Sequence, residues 1–301
     1  YNNTFRNYGG GLTLRHGNNC EVYGNYFFAE NNDFTLGVRL IGEGHKVYNN
    51  YIEGINSFKP SGSSSNVTGG INVMNGVLNS ALNGYYQVKN AQVVNNTFVN
   101  CDYAIRIGTS LGGDQAPENL TVANNIMYNT SINAYQINTT PIGTSVSEGN
   151  ITNLSNSDIA DDGIFHRITN GSVVIDAAIG SYSFLSNDIL GGTRASNYDA
   201  GGEEYGANGI KLPYKAADVG QTIGFLSSQP PSLSVKVNSL QERGVILYPI
   251  PTNGNFLHIK SQTENIGQVE VFNVRGKSLL KKKINQISGK IEVSHFSPGV
   301  Y

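Results

Sequence analysis

The chain has 301 residues, room for one long domain and a small second one, and only 14% of them are charged, for a net charge of −2. That balance leaves no broad basic field for nucleic acid or an anionic membrane surface, and no apolar run reaches the ~18 residues of a membrane-spanning helix. With 36 glycines, many asparagines and no tryptophan, the composition suits a β-rich extracellular protein with tight turns better than a helical cytosolic enzyme.

From its first residues the chain repeats a short unit: Asn, then Thr, Tyr or Ile, then an apolar residue. It occurs as Asn3-Thr4-Phe5, Asn25-Tyr26-Phe27, Asn50-Tyr51-Ile52, Asn96-Thr97-Phe98, Asn125-Ile126-Met127 and, with a changed third position, Asn150-Ile151-Thr152. The spacings are 22, 25, 46, 29 and 25 residues, and the 46 reads as two coils, the extra one carrying Gly69-Gly70-Ile71-Asn72-Val73. Short β runs at this period, with Asn and Gly at the corners, predict a right-handed parallel β-helix. No Leu-x-x-Leu-x-Leu unit recurs, which excludes leucine-rich repeats. The recurrent Asn has a physical role: its amide can bond the backbone of its own corner and the Asn one coil away.

Two early strands alternate apolar and polar residues, Leu12-Thr13-Leu14-Arg15-His16-Gly17 and, 24 residues after Arg15, Arg39 within Val38-Arg39-Leu40-Ile41-Gly42-Glu43-Gly44-His45. Leu and Ile point inward, and the two arginines, at one offset in consecutive coils, are expected as neighbours on one outer face. Such a pair suits carboxylate recognition. Arg106, in Tyr103-Ala104-Ile105-Arg106-Ile107-Gly108, repeats the outward arginine. Gly54–Asn66, with its serine run, and Leu111–Glu118 are polar insertions of the kind that wall a cleft in a solenoid. Cys20 and Cys101 are too few for a disulfide framework. At strand ends that look equivalent they read first as small buried hydrophobes, with a bridge or a ligand as rivals.

Between about 156 and 225 the repeat loosens and carboxylates gather, around Asp161-Asp162, Asp176 and Asp199 to Glu204, with Arg194 among them. A glycosidase acid–base pair is one reading; capping of the last coils by a terminal cover, with Arg194 as partner, is the stronger. Gln229-Pro230-Pro231-Ser232 reads as a linker. Beyond it, short alternating strands with Pro and Asn-Gly turns predict a small β-sandwich. Its Lys281-Lys282-Lys283 is read as a solvated strand or hairpin ahead of a polyanion patch. The division is 1–228 β-helix, 229–244 linker and 245–301 sandwich. The chain opens within the repeat and closes on Pro298-Gly299-Val300-Tyr301 within a strand, so both ends read as cuts in a longer protein.

The motifs Leu12 to Gly17, Gly24-Asn25-Tyr26-Phe27-Phe28, Gly37 to His45 and Asn49-Asn50-Tyr51-Ile52-Glu53-Gly54 resemble polysaccharide lyase family 6, the alginate lyases and chondroitinase B. The resemblance runs from Tyr1 to about Phe225. It implies β-elimination on a uronic acid, in which a cation, usually calcium, neutralises the carboxylate, a lysine takes the C5 proton and an arginine serves the leaving oxygen. Arg15 matches the family's catalytic arginine. A guanidinium is always protonated, so stabilising the leaving oxygen is a sounder role for it than donating a proton. The resemblance also implies substrate binding by His16 and Arg39; Arg106, from its repeated outward pattern, is read as a further substrate subsite, and Glu43 and His45, at the following turn, as either support of the site or simple corner bonding. In the family the base and the calcium ligands precede this strand by one coil. Neither Lys46 nor Lys59 matches the base, no metal ligand is assigned, and little or no activity is expected of this chain alone.

The stretches Leu247-Tyr248-Pro249-Ile250-Pro251-Thr252-Asn253-Gly254, Val269 to Gly276 and Phe296 to Tyr301 resemble the C-terminal sorting domain of type IX secretion, with Ile250 in place of the usual Asn. That implies export from a Gram-negative cell and the secretion machinery as a partner. The leading expectation is therefore a secreted lyase of acidic polysaccharide, alginate first, with neither nucleic acid nor a membrane span involved. A dermatan sulfate lyase like chondroitinase B and a non-catalytic glycan-binding β-helix are the alternatives. An inverting hydrolase would need clustered carboxylates on the central coils, which lack them.

Overall fold

In the computed structural model of the chain, residues 1–58, 67–215, 218–219, 244–249, 255–273 and 277–296 are described. The linker Gln229–Ser232, the serine run, Lys59 and Pro298–Tyr301 lie outside them. The chain divides into two units, Tyr1–Phe225 and Leu226–Tyr301.

The first unit is a parallel β-helix. Its first coil is β1 (Thr4–Arg6), β2 (Leu12–Leu14) and β3 (Glu21–Tyr23), and its second β4 (Tyr26–Phe28), β5 (Leu36–Leu40) and β6 (Lys46–Tyr48). The third is β7 (Tyr51–Glu53), β8 (Gly69–Met74) and β9 (Gln92–Val94), and the fourth β10 (Thr97–Val99), β11 (Tyr103–Thr109) and β12 (Thr121–Ala123). The fifth is β13 (Ile126–Tyr128), β14 (Asn133–Ile137) and β15 (Val146–Glu148), after which β16 (Ile151–Leu154) starts another turn. Each strand pairs with the third strand after it, giving a first sheet β1-β4-β7-β10-β13-β16, a second β2-β5-β8-β11-β14 and a third β3-β6-β9-β12-β15. Because Thr97 pairs directly with Tyr51, the 46-residue interval is one enlarged coil and not two. Its extra length lies in the connections on either side of β8.

The interior is a stack of apolar rows: Phe27, Ile52, Phe98 and Met127 from the first sheet, Val38, Ile71 and Ile105 from the second, Val22, Val47, Val93 and Val122 from the third. A fully buried side chain of this size contributes about 1.5–3 kcal/mol, against about 0.5–1.5 kcal/mol for a hydrogen bond, so apolar stacking carries most of the stability. The asparagines fix the corners. Each Nδ2 donates to the next Oδ1, from Asn3 to Asn25 (3.1 Å), Asn25 to Asn50 (3.0 Å), Asn50 to Asn96 (2.9 Å), Asn96 to Asn125 (3.0 Å) and Asn125 to Asn150 (2.9 Å). The residue just before each rung turns the chain in the left-handed region, at φ 49° for Asn49, 53° for Asn95 and 55° for Asn124. Asn tolerates that region where most side chains do not, which accounts for the doubled asparagines.

After β16 the chain does not cap the end of the helix as expected; it runs back along its flank. A hairpin, β17 (Ile159–Asp161) with β18 (His166–Ile168), packs Phe165 edge-on against Tyr26 and Tyr51 of the first sheet. Residues 179–214 then bond across the coils, Ile179 to Asn124, Asn187 to Asn49, Asp199 to Asn95, Lys211 to Tyr26 and Tyr214 to Thr4. The outer face of the first sheet is thereby sealed in a second apolar cluster with Ile168, Val174, Ile189 and Leu190, and the third sheet carries Tyr182, Phe184 and Leu185. The gathered carboxylates hold this strap: Arg194 lies 3.2 Å from Glu204, with both side chains buried. Apolar residues on the outer strand faces, such as Tyr26 and Tyr51, need cover along the whole solenoid, which a terminal cap could not give.

The two cysteines are free and not equivalent: Cys20 precedes a strand of the third sheet and is half-buried, whereas Cys101 follows one of the first and is buried in the core. The second unit has antiparallel strands, β19 (Val245–Tyr248), β20 (Phe256–Ser261) and β23 (Ser288–Glu292) in one sheet and β21 (Ile266–Phe272) with β22 (Ser278–Gln286) in another. Lys281, Lys282 and Lys283 stand exposed on β22, Lys281 within 3.4 Å of Glu270.

Candidate carboxylate-binding groove

The first sheet is covered along its length and the third only at its Tyr48, Val94 and Ala123 end, where it keeps the Glu21–Lys46 pair outside; the second sheet presents an open row of polar side chains that includes arginines without acidic partners among the described residues. The strand register sets them in a row across five coils: Thr13 opposite Arg39, Arg39 opposite Asn72, Asn72 opposite Arg106, Arg106 opposite Gln136. Their neighbours in each strand, from Leu12 and Leu14 to Ile105 and Ile107, face the core.

Arg39 is half-buried and donates from Nε and Nη2 to Thr13 Oγ1, at 3.3 and 3.2 Å. The strands are 26 residues out of phase, not the 24 that would stack the two arginines, so Arg39 meets Thr13 and Arg15 follows two positions on. Both arginines still share the outer side, because two steps along a strand return to the same face. Neither makes an ion pair among the described residues. The Arg15 guanidinium lies 5.0 Å over the ring of Tyr85, and its Nε is buried without a hydrogen-bond partner among the described residues.

Arg106 is engaged more fully. Its Nε donates to Gln136 Oε1 (2.8 Å), its Nη1 to Thr68 O (3.1 Å), and its guanidinium sits 4.4 Å over Tyr103. Burial lowers its pKa from the usual arginine value, though it stays charged at any physiological pH. His16 is exposed at the turn after β2.

His45 has a different place from the arginines. It is fully buried, its Nδ1 accepts from Cys20 N (3.2 Å) and its Nε2 lies 3.0 Å from Ile41 O. The tautomer protonated at Nε2 satisfies both bonds, and burial pushes the imidazole below its usual pKa, against the pull of the two backbone bonds. The ring therefore staples the corner after β5. Glu43 is exposed, accepts from Asn90 Nδ2 (3.0 Å) and lines an open cavity of about 370 Å³ with Asn18, Tyr86, Gln87 and Lys89. The structure thus brings Arg15, Arg39 and Arg106 to one face and puts Glu43 and His45 at the adjoining corner.

Thr13, Asn72, Gln136 and Tyr85 belong to this face as well and were not anticipated. The first three follow from the alternation of their strands once the register is known. Tyr85 carries no local signal, because the long connection after β8 delivers it. Lys46 is not in the row: it pairs with Glu21 at 2.8 Å on the third sheet. No three His, Cys, Asp or Glu side chains converge among the described residues. These residues do not form the oxygen cage calcium requires.

Residues 1–179 match the family model described as Chondroitinase B, and residues 246–301 that of the secretion system C-terminal sorting domain. Among solved structures, the PL6 family alginate lyase AlyGC is 31% identical with a TM-score of 0.42, the match covering 56% of this chain and 24% of that one. A mutant form of AlyGC is 26% identical (TM-score 0.47, 76% and 28% covered). A PL6 family polysaccharide lyase from Pseudopedobacter saltans is 25% identical (TM-score 0.39, 59% and 47% covered). The chain thus spans less than half the length of each of these. No curated protein matches it.

Proposed function

The chain belongs to the chondroitinase B family, and from that premise we propose that its β-helix acts as a lyase on a uronic-acid polysaccharide, alginate first. The observation that carries the reading is the uncovered polar row of the second sheet, with two arginines free of acidic partners among the described residues. The row crosses the coils, so a polymer lying in it meets one coil after another.

In β-elimination a base removes the C5 proton, its electrons form the C4–C5 double bond, and the glycosidic oxygen leaves C4. The substrate carboxylate gains charge on the way. Arg39, steadied by Thr13, keeps Nη1 for that carboxylate, and its planar fork suits two oxygens at once. Arg15 faces the same side and stabilises charge on the leaving oxygen. Arg106, held by Gln136 and Thr68, extends the cationic row toward a neighbouring sugar. No base is assigned among the described residues.

Alginate is favoured over dermatan sulfate because the Arg39 strand and the Gly42 to His45 turn resemble the alginate-acting branch and the row carries few charges for sulfate. The sorting domain indicates export to the cell surface or medium; type IX secretion as the route implies a Gram-negative host. Affinity electrophoresis through gels containing alginate or dermatan sulfate tests the site. Arg39→Ala is expected to weaken alginate retention by roughly tenfold to a hundredfold, and Arg39→Lys to recover part of it. Unchanged retention in both variants would refute the groove. Absorbance of unsaturated uronate in the same samples reads turnover, expected to be slight; brisk turnover would show that the chain itself supplies a base.

A further inference from the structure

Arg15 is placed by something other than its own strand. It lies one residue past the end of β2, pairs with no acid among the described residues, and has a buried Nε with no partner there. A long flexible cation in that state has many rotamers open to it. What it rests on is Tyr85, which comes from the connection after β8, two coils away.

That connection is built to hold its shape. At its neck Gly76 exchanges backbone bonds with Gln115 (2.8 and 2.9 Å), Val77 N donates to Tyr85 O (2.7 Å), and Gln87 Nε2 donates to Ala116 O (2.8 Å). The neck is closed so tightly that a Cβ on Gly76 would stand 2.4 Å from Gln87 Cα. Tyr85 itself packs on an apolar patch of Leu36, Ile41, Val67 and Met74. The ring is thus anchored on the coils, and the guanidinium makes a further contact with it.

We propose that Tyr85 is a positioning residue for Arg15: the enlarged third coil reaches back across the second to hold the arginine of the first toward the groove. The ring face attracts the guanidinium without consuming its N–H donors, which an aspartate or glutamate partner would do. Arg15 therefore stays oriented and keeps its terminal nitrogens for the substrate. The catalytic consequence rests on the lyase reading above; the placement of Arg15 does not.

Chemical labelling of arginines by phenylglyoxal, mapped peptide by peptide on the full chain, tests the placement without any substrate. Tyr85→Phe keeps the ring and should label Arg15 as slowly as the native chain. Tyr85→Leu, and Gly76→Ala, which displaces the neck but leaves Tyr85 intact, should raise Arg15 labelling roughly five- to thirtyfold, the population change that a contact of this kind governs. Arg39, bonded to Thr13, is the internal reference and should not change. Should Tyr85→Leu also expose Arg39, the fold has loosened, and Tyr85→Met, which fills the apolar patch without a ring, is read in its place. Arg15 labelling at the native rate in the ring-less variant, with Arg39 unchanged, overturns the proposal. Alginate retention separates the two ideas: a native chain that ignores alginate yet shows this labelling pattern keeps Tyr85 in its role and removes the lyase reading.

Discussion

Replacing Asn96 by Ala removes the central rung of the asparagine ladder. The side chain is fully buried. Its Oδ1 accepts from Asn50 N (3.1 Å) and Asn50 Nδ2 (2.9 Å), and its Nδ2 donates to Asn125 Oδ1 (3.0 Å) and Val47 O (2.9 Å). The groups left behind are not equal. Asn50 Nδ2 still reaches Val22 O, Asn125 Oδ1 still receives Asn96 N, and Val47 O keeps its place in the β6–β9 ladder, so the true orphan is Asn50 N. An orphaned buried group costs about 1–3 kcal/mol and a lost bond about 0.5–1.5 kcal/mol, which puts the loss at about 2–4 kcal/mol. Asn3 ends the ladder in solvent, and Asn3→Ala should cost under about 1 kcal/mol because water replaces the partner. Asn96→Asp keeps the acceptor but turns a charge toward Val47 O and Asn125 Oδ1, so it should cost at least as much as Ala. Urea midpoints with unchanged m-values measure all three. If Asn96→Ala falls within about 1 kcal/mol of Asn3→Ala, the ladder merely fills space at the corners and the reasoning fails.

Two further outcomes follow from buried charge. Burial holds the His45 pKa below the usual imidazole value of 6.5, so the unfolded chain binds the proton more readily than the fold does. The stability it lends is full above pH 6.5 and is lost as pH falls from there toward the depressed value; denaturation midpoints of native and His45→Asn chains should converge on the acid side. Glu204→Gln leaves Arg194 charged with its guanidinium buried and should cost about 3–5 kcal/mol. The exposed Glu21–Lys46 pair, broken by Lys46→Ala, should cost no more than about 1 kcal/mol. Comparable midpoint shifts in the two would overturn that contrast.

What could be read from the sequence was whatever repeats in place. The ladder needs the same amide at the same corner of every coil, so Asn3 through Asn150 mark the first sheet directly. The outward arginines were legible because alternation fixes a face. Register in the second sheet was not, since the lengths between corners vary: Arg39 met Thr13 where Arg15 was expected, and the 46-residue interval hid one coil with two long connections. Tyr85 reaches Arg15 through a fold of the backbone that no spacing encodes. The acidic segment showed its partner, Arg194, but its course along the flank depends on Tyr26, Tyr51 and other outer apolar residues, which locally resemble core.

A stack of repeats usually melts from whichever end is weaker, since each unit leans only on its neighbours. Here residues 179–214 bind Asn124 at the end of the fourth coil and Thr4 in the first, so the first coil cannot fray without releasing a strip of chain that also grips the middle. Coils that would otherwise lean only on their neighbours are tied along their flank, so loosening one of the first four strains the strip that holds the others. An exported protein gains from that cooperative behaviour, because partial openings are where proteases begin.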